Sequence, residues 1–525
     1  MIVPLAFAAV CLALPGPRLR LASLVAGSLA HSGVTVWSWT AAFPDQAGSF
    51  FAIEPLGHLF VSLVSILFAA TSVYFVGYHR KALLSQRIFL ACMLGLLAAL
   101  SAVCISRHLG VMWVAVEAAS LAATPLIYFR LSARALEATW KFLLMSSVGI
   151  ALALLGIFCI AVAAMKAEPP LSLLMNDLTA RAVELDVRWL RAGFLLALVG
   201  FGAKMGLSPL HSWKPDAYGE APPPVAALLA GAMTLGAFIG ILRIFQVCAA
   251  AGLAGFAGGW LIVFGLLSIG TAAVFVVGNN DYRRIFAYTS VEHMGVMVVG
   301  VGLGLGGSYA GMLHAMHNTL NKGVLFFLAG FFWRLYQSNR VSDVRGAIHH
   351  HPTAGVLFLG GLCATCGLPP FGMFFSELGI LFAAAQTGHW WVLGVFTLTL
   401  CVVFVGVMTA MLPMVFGPPP AGLNPVRPGE QRWRSIAMLA PATALLLAAF
   451  ALGAYQPAIV RQALTEAAAT LDPPRIQSAR IQNAGPGLLA NSEPASPVAG
   501  APMPQGLQGL GTDSASPGEH LEFLP

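Results

Sequence analysis

Glu117, Lys204, Lys322 and Glu377 stand near the middle of apolar segments long enough to be membrane helices. A charged side chain at the centre of a bilayer costs roughly 2.5–3.5 kcal/mol even on a lenient insertion scale. Two acids and two lysines are therefore kept only where they pair or line a hydrated interior, and ionisable groups held at that cost carry function by default. The chemistry open to such a set is proton transfer. Burial disfavours the charged form of a lysine and a nearby carboxylate favours it, so moving the carboxylate changes whether the lysine holds its proton. Glu117, in Val111–Ser120, and Lys204, five residues ahead of Pro209, are candidates for such a pair.

Lys322 ends a polar ladder. His314, Asn318 and Lys322 follow at i, i+4 and i+8 and share one helix face, and His317, Thr319 and Asn321 add polar atoms around it. Lone intramembrane histidines are often packing donors, but a stripe that ends in a lysine reads as a hydrated proton path. Glu377, after the pair Pro369-Pro370, is placed to end the chain of sites near one membrane face. Glu292 and His293, in Tyr288–Met294, and His211, closing Gly202–His211, complete the candidate proton-translocation set. The plainer alternatives are a structural acid at Glu117, an interfacial acid at Glu377 and a lysine snorkelling to the surface. The last suits Lys204 poorly, because the surface is far from mid-helix.

The elements that must position these groups are membrane helices. Of 525 residues only 9% are charged and 58% are hydrophobic, against about 25% charged in a soluble domain. An all-α integral membrane protein is expected. The net charge of +7 does not point to nucleic acid, since the basic residues form short clusters between apolar spans. Fourteen apolar segments, from 1–16 to 433–456, come near the roughly 20 residues a spanning helix needs. The first resembles a signal-peptide core, but it lacks a basic start and Arg18 and Arg20 follow it, so a first membrane helix is expected. Connections after odd-numbered segments hold seventeen lysines and arginines, Lys214 among them, against six after even-numbered ones. By the positive-inside rule the odd connections are cytoplasmic and both termini lie on the other side.

Proline removes an N–H and clashes one turn back, so segment seven should break at Pro209 and segment twelve at Pro369-Pro370. Breaks five helices apart point to an inverted-repeat transporter fold with its site at the unwound backbone. The expected organisation is 1–106 for the first four helices, 107–248 for the rest of a first repeat, 249–416 for the second, 417–456 for a loop and last helix, and 457–525 for a Pro/Gly/Ala-rich tail without fixed structure. Eight scattered cysteines, including Cys363 and Cys366, form neither a disulfide framework nor an iron–sulfur ligand set. Gly302–Gly307 satisfies G-x-G-x-x-G but ends an apolar helix with no acid placed for a ribose, and His349-His350-His351 reads as an exposed loop.

Five motifs occur in order: Leu207–Ala217, Pro224–Leu228, Asp281–Tyr288, Asn321–Phe326 and Gly367–Pro370. With them the chain resembles the antiporter-like membrane subunits of respiratory complex I, membrane-bound hydrogenases and multisubunit cation/proton antiporters, over roughly residues 50–455. Leu136–Phe142 and Ser290–Gly295 suggest the hydrogenase-4 component F and formate hydrogenlyase branch. The resemblance implies fourteen helices with two inverted five-helix repeats, helices four to eight and nine to thirteen. It also implies a central axis through Glu117, Lys204, Lys322 and Glu377 that moves protons while partner subunits perform redox chemistry. No cofactor is expected in this chain; nickel–iron and iron–sulfur centres would belong to the partner membrane and peripheral subunits. The transported ion would be the proton, with sodium as the alternative, and the location the bacterial inner membrane. A sodium/proton antiporter subunit and a NADH-quinone oxidoreductase subunit are the competing readings. Relatives commonly carry histidine where this chain has Ala230 and Asn318.

Overall fold

The computed structural model describes residues 1–41, 48–79, 86–418 and 432–472. Local chemistry sets the helix boundaries. Proline suits the first turn, where its missing N–H is not needed, and Pro17, Pro55, Pro223 and Pro352 each open a helix. Elsewhere a side chain takes the first free N–H groups: His108, Ser132, Asp186 and Asp281 each accept from backbone N–H groups of the first turn. In chain order the helices are α1 (Ile2–Ala13), α2 (Pro17–Ser38), α3 (Pro55–Tyr78), α4 (Gln86–Ile105), α5 (Leu109–Ile127), α6 (Ala133–Met165) and α7 (Met175–Ala180). Then come α8 (Val187–Met205), α9 (Trp213–Glu220), α10 (Pro223–Leu228), α11 (Thr234–Ala250), α12 (Ala254–Val276), α13 (Tyr282–Leu303) and α14 (Gly306–Tyr336). The last are α15 (Ala347–His350), α16 (Pro352–Thr365), α17 (Gly372–Gln386), α18 (Trp390–Phe416), α19 (Arg432–Ala454) and α20 (Ala458–Ala469). Among the described residues the only strand-like pairings are three isolated bridges.

Among the described residues ten helices are long and apolar enough to cross a membrane, the run Pro223–Ala250 counting as one. Two more reach spanning length, α8 and α14, and these are the ones made polar by Lys204 with two arginines and by the His314–Lys322 ladder. α1 has 12 residues, α16 has 14 and α17 has 15, so each is shorter than the roughly 20 residues a 30 Å core requires. Segment seven does break: Gly206, at φ +79°, ends α8 with its N–H on the Gly202 carbonyl at 2.7 Å, and a turn precedes α9. Segment twelve breaks between Thr365 and Gly372.

The molecule departs from the expected organisation in two places. The tail expected from 457 begins instead with α20, which buries Ala463, Leu464, Ala467 and Ala468. Averaging composition over 457–525 hides a stretch of 12 residues without proline or glycine. Tyr309 donates to Gln456 at 2.7 Å and Ser308 to Asp472 at 3.1 Å, so this end of the chain is fastened to α14; residues 473–525 lie outside the described set, as do Arg80, Lys81 and Arg427. The second departure concerns charge. Lys214 and Arg283 are buried rather than in connections, and so is Arg243, within α11.

α2 is polar on its inward side. Six of its eight buried residues are Arg20, Ser23, Ser28, His31, Thr35 and Ser38. Ser28 is hydrogen-bonded to Ser72 at 2.7 Å, His31 to Ser65 at 3.0 Å and to Ser101 at 2.8 Å, and Ser38 to His58 at 2.8 Å. Such bonds hold helices together where lipid removes the hydrophobic incentive. Small residues do the same by close approach: at Gly295 an added Cβ would stand 2.5 Å from the Gly265 carbonyl oxygen and 2.8 Å from Ile269. Gly295→Leu should therefore overpack the α12–α13 contact and lower stability by about 1–3 kcal/mol, seen as a lower midpoint in detergent thermal unfolding. An unchanged midpoint would show that the two helices separate freely.

Candidate functional site

The break after α8 brings two lysines inward. Lys204, in the last turn of α8, is 1% exposed; its Nζ touches Ser120 Oγ on α5 and stands 3.7 Å from Glu117 Oε2. The Phe142 ring of α6 lies 5.8 Å from the same ammonium. Glu117 and Lys204 are thus brought together as a pair across α5 and α8.

Lys214, which sequence reasoning assigned to a connection, is fully buried and donates to Ser290 Oγ on α13 at 3.3 Å. Its stem lies over Gly206, where any side chain would collide with it. The helix that carries it, α9, is fastened on every side. Trp213 Nε1 donates to the Ala203 carbonyl at 2.9 Å. Asp216 receives Lys141 at 2.8 Å and Arg284 at 2.9 Å. Buried Arg283 donates to the Tyr218 carbonyl at 2.7 Å and also meets that of Ala221. These contacts join the motif Leu207–Ala217 to Asp281–Tyr288, which gives both a physical reason. The available signal for Lys214 was its place in Trp213-Lys214-Pro215-Asp216, just past a proline break.

On the second side, α13 and α14 face each other. Lys322 Nζ donates to Thr289 Oγ1 at 2.8 Å. His293 Nδ1 and His314 Nε2 are hydrogen-bonded at 3.1 Å, and His314 Nδ1 to Ser376 Oγ on α17 at 2.8 Å. Glu377 joins them: the ligand atoms of His293, His314 and Glu377 all lie within 4.8 Å of one another. Lys214 and Lys322 are near enough to repel, and Lys322 and Glu292 near enough to attract. The structure therefore gathers Lys214, Lys322, Glu292, His293, His314 and Glu377 into one neighbourhood. His317 is buried beside the second break, packed on Gly372. His211 sits apart on the turn, half-buried, with the Phe275 and Tyr288 rings at 6.3 and 6.4 Å.

The axis is rich in polar atoms with no hydrogen-bond partner among the described protein atoms: Glu292 Oε2, His293 Nε2, both ring nitrogens of His317, both amide atoms of Asn318 and Asn321 Oδ1. Buried polar groups in native proteins are hydrogen-bonded, and ordered water serves where protein does not. Such a set can pass a proton between lysines, imidazoles and carboxylates. Glu377 is also part of the wall of a cavity of about 270 Å³ with Glu292, Cys366 and Cys401, against α18. All eight cysteines are free, and Cys366 belongs to this wall rather than to a disulfide. Residues 229–233 form a π turn at Ala230, whose shifted Leu229 carbonyl accepts from Tyr218 Oη at 3.2 Å. The decoys fall elsewhere: Gly302–Gly307 is the α13–α14 turn, and His349 and His350 end the short α15.

Lys214→Met removes a group able to carry a proton at this position, so coupled proton transfer should slow about a hundredfold, and Lys214→Arg, whose guanidinium keeps its proton, should not restore it. Full proton-transfer rates for Lys214→Met in proteoliposomes would remove this residue from the axis.

Residues 106–403 match the family model described as NADH:quinone oxidoreductase/Mrp antiporter, transmembrane. The chain is 31% identical to the hydrogenase-4 component F homolog of Methylacidiphilum infernorum, over 79% of this chain and 87% of that protein. It is 30% identical to NADH-quinone oxidoreductase subunit N of Desulforudis audaxviator, over 84% and 90%. Among solved structures it shares the fold of a chain in an archaeal respiratory complex, the membrane-bound sulfane sulfur reductase, at a TM-score of 0.79 and 21% identity, over 91% of this chain and 98% of that one.

Proposed function

Because the chain belongs to the NADH:quinone oxidoreductase/Mrp antiporter membrane family, we propose that it is the proton-translocating membrane subunit of a redox-driven complex of the hydrogenase-4/formate hydrogenlyase type. The observation that carries the reading is the series of ionisable groups inside the helix bundle, from half-buried Glu117 paired with Lys204, through fully buried Lys214 and Lys322, to half-buried Glu377. The likeness to a hydrogenase-4 component F homolog supports the choice of complex. Fourteen crossings arranged as two inverted five-helix repeats accommodate this series, with α8–α9 and α16–α17 as the two broken helices.

Withdrawing Glu117 removes the counter-charge of Lys204. The lysine's proton then passes towards Lys214, whose neighbour Lys322 makes a second positive charge costly. Lys322 hands a proton through Glu292 and the His293–His314 contact to Glu377, which releases it at the cavity. His317, Asn318 and water bridge the intervals, and His211 serves the entrance near the first break. Each step is a proton moving between named side chains; the driving electron transfer, with nickel–iron and iron–sulfur centres, belongs to partner subunits. The odd-numbered connections face the cytoplasm and both termini the other side of a bacterial inner membrane, which the lysine and arginine bias supports even without Lys214, Arg243 and Arg283.

A NADH-quinone oxidoreductase subunit is a second reading, favoured by the likeness to subunit N. Complexes purified through this chain in mild detergent should contain nickel–iron and iron–sulfur subunits by mass spectrometry; small membrane subunits without metal would instead indicate a sodium/proton antiporter. In the intact complex Lys204→Ala and Glu117→Ala should abolish proton uptake or release coupled to redox turnover. Wild-type coupling in both variants would overturn the proposed axis.

A further inference from the structure

We propose that His293, His314 and Glu377 form a binding site for a divalent transition cation of the zinc class, which on binding would plug the far end of the axis. Two imidazoles and one carboxylate, with water as the fourth ligand, make a familiar zinc donor set. The imidazoles disfavour magnesium or calcium, which prefer all-oxygen ligands. The spacing is already close. Two nitrogens bound to one tetrahedral zinc at about 2.0–2.1 Å stand about 3.4 Å apart, and His293 Nδ1 and His314 Nε2 are 3.1 Å apart. The carboxylate lies within the same 4.8 Å sphere, and a rotation of Glu377 completes the set.

Three further features favour binding. Metal-ligating histidines characteristically use their second nitrogen in a hydrogen bond that fixes the ring, and His314 Nδ1 is held by Ser376 Oγ at 2.8 Å. Ser376 Oγ is itself tied to the Met373 carbonyl at 2.7 Å, so the ring is oriented by the first turn of α17. His293 is fully buried with its Nε2 unpartnered, so reorienting this ring breaks no bond on that side. Glu377 belongs both to the cluster and to the cavity wall that includes Glu292 and Cys366, so open space reaches the carboxylate of the ligand set. Entry of the ion replaces the nitrogen–nitrogen hydrogen bond with two metal bonds, and the shared proton moves to the other nitrogen of its own ring, His293 Nε2 or His314 Nδ1, so both imidazoles bind in their neutral form and no proton is lost. An imidazole bound to metal can no longer pass a proton, so the same event that fills the site stops the relay there.

The binding claim rests on this geometry and not on the proposed driving reaction, and it is measured without turnover. The probe is zinc-65 in equilibrium dialysis against the purified complex after chelation of loosely held metal. The wild-type complex should take up one more ion per copy of this chain than complexes carrying Glu377→Gln or His314→Gln. Ser376→Ala should weaken that ion's affinity about 10–100-fold, as loss of an orienting partner does, and Ser376→Thr should restore it. Equal uptake and affinity in the wild type, the ligand variants and Ser376→Ala would mean an adventitious ion only and would overturn the proposal. If the ligand variants fail to assemble, the Ser376→Ala and Ser376→Thr comparison decides alone. A complex that translocates protons without this zinc site disproves the inference and spares the function; one that binds zinc but never translocates does the reverse.

Discussion

The cost of holding lysine ammonium groups away from water governs this molecule. Three lysines, Lys204, Lys214 and Lys322, are at most 1% exposed in a protein with few charges. Each requires a partner in place: Glu117 and Ser120, Ser290, and Thr289 respectively. A helix that ran straight past these positions could not place them all. The breaks at Gly206 and between Thr365 and Gly372 interrupt the helices beside these groups, so that one segment offers a lysine on each side of its break and the other carries Glu377 shortly after its own. The positive φ of Gly206 and Gly367, at +79° and +61°, and the collisions any side chain there would make with Lys214 and Glu377, tie the backbone of each break to the charge beside it.

The motifs that carry the family resemblance are mostly the fasteners of this arrangement rather than the proposed proton carriers. Asp281 caps α13, Arg284 reaches Asp216, and Arg283 closes the carbonyl end of α9. Together they hold a helix of 8 residues firmly enough to keep Lys214 buried. Asn321 donates to the Gly361 carbonyl at 3.2 Å and meets Thr365, which ties the lysine-bearing α14 to the last turn of α16 before its break. Replacing such a fastener leaves the formal charges of the axis intact and moves them, so positional precision is the property these residues supply.

What could be read in the sequence follows from contrast. Glu117, Lys204, Lys322 and Glu377 stand out because each interrupts an apolar run, and the helix-bearing segments stand out because membrane composition is extreme. The same contrast fails in three places. Lys214 lies among Trp213, Pro215 and Asp216, a polar stretch that resembles a connection, and its burial comes from Arg283 and Asp216 contacts with residues far along the chain. The seam of α2, α3 and α4 is built from serine, threonine and histidine, whose hydropathy is too neutral to mark a face, although their spacing at Ser28, His31, Thr35 and Ser38 follows one. α20 is short and alanine-rich, and prolines on both sides dilute its signal. Each miss is a property of packing partners or of averaging, not of local propensity.

Departures from the family pattern at Ala230 and Asn318 now have a setting. At both positions the family resemblance implies histidine, and two fewer imidazoles would open gaps in the proposed relay if it were made only of side chains. At Ala230 the helix takes a π turn, the Leu229 carbonyl turns to Tyr218, and Thr234 returns its hydroxyl to the Ala230 carbonyl at 2.7 Å. At Asn318 the side chain keeps both a donor and an acceptor free of protein partners. An amide cannot carry a proton at neutral pH as an imidazole can, but it orients a water that does, and His317 one residue earlier adds two more free nitrogens. In the proposed relay the partnerless polar atoms at the centre call for water, while at its far end the imidazoles of His293 and His314 touch. Divided in this way, the proposed relay would be most sensitive at the His293–His314–Glu377 contact, because there a single displaced ring would interrupt a path that water elsewhere could reroute.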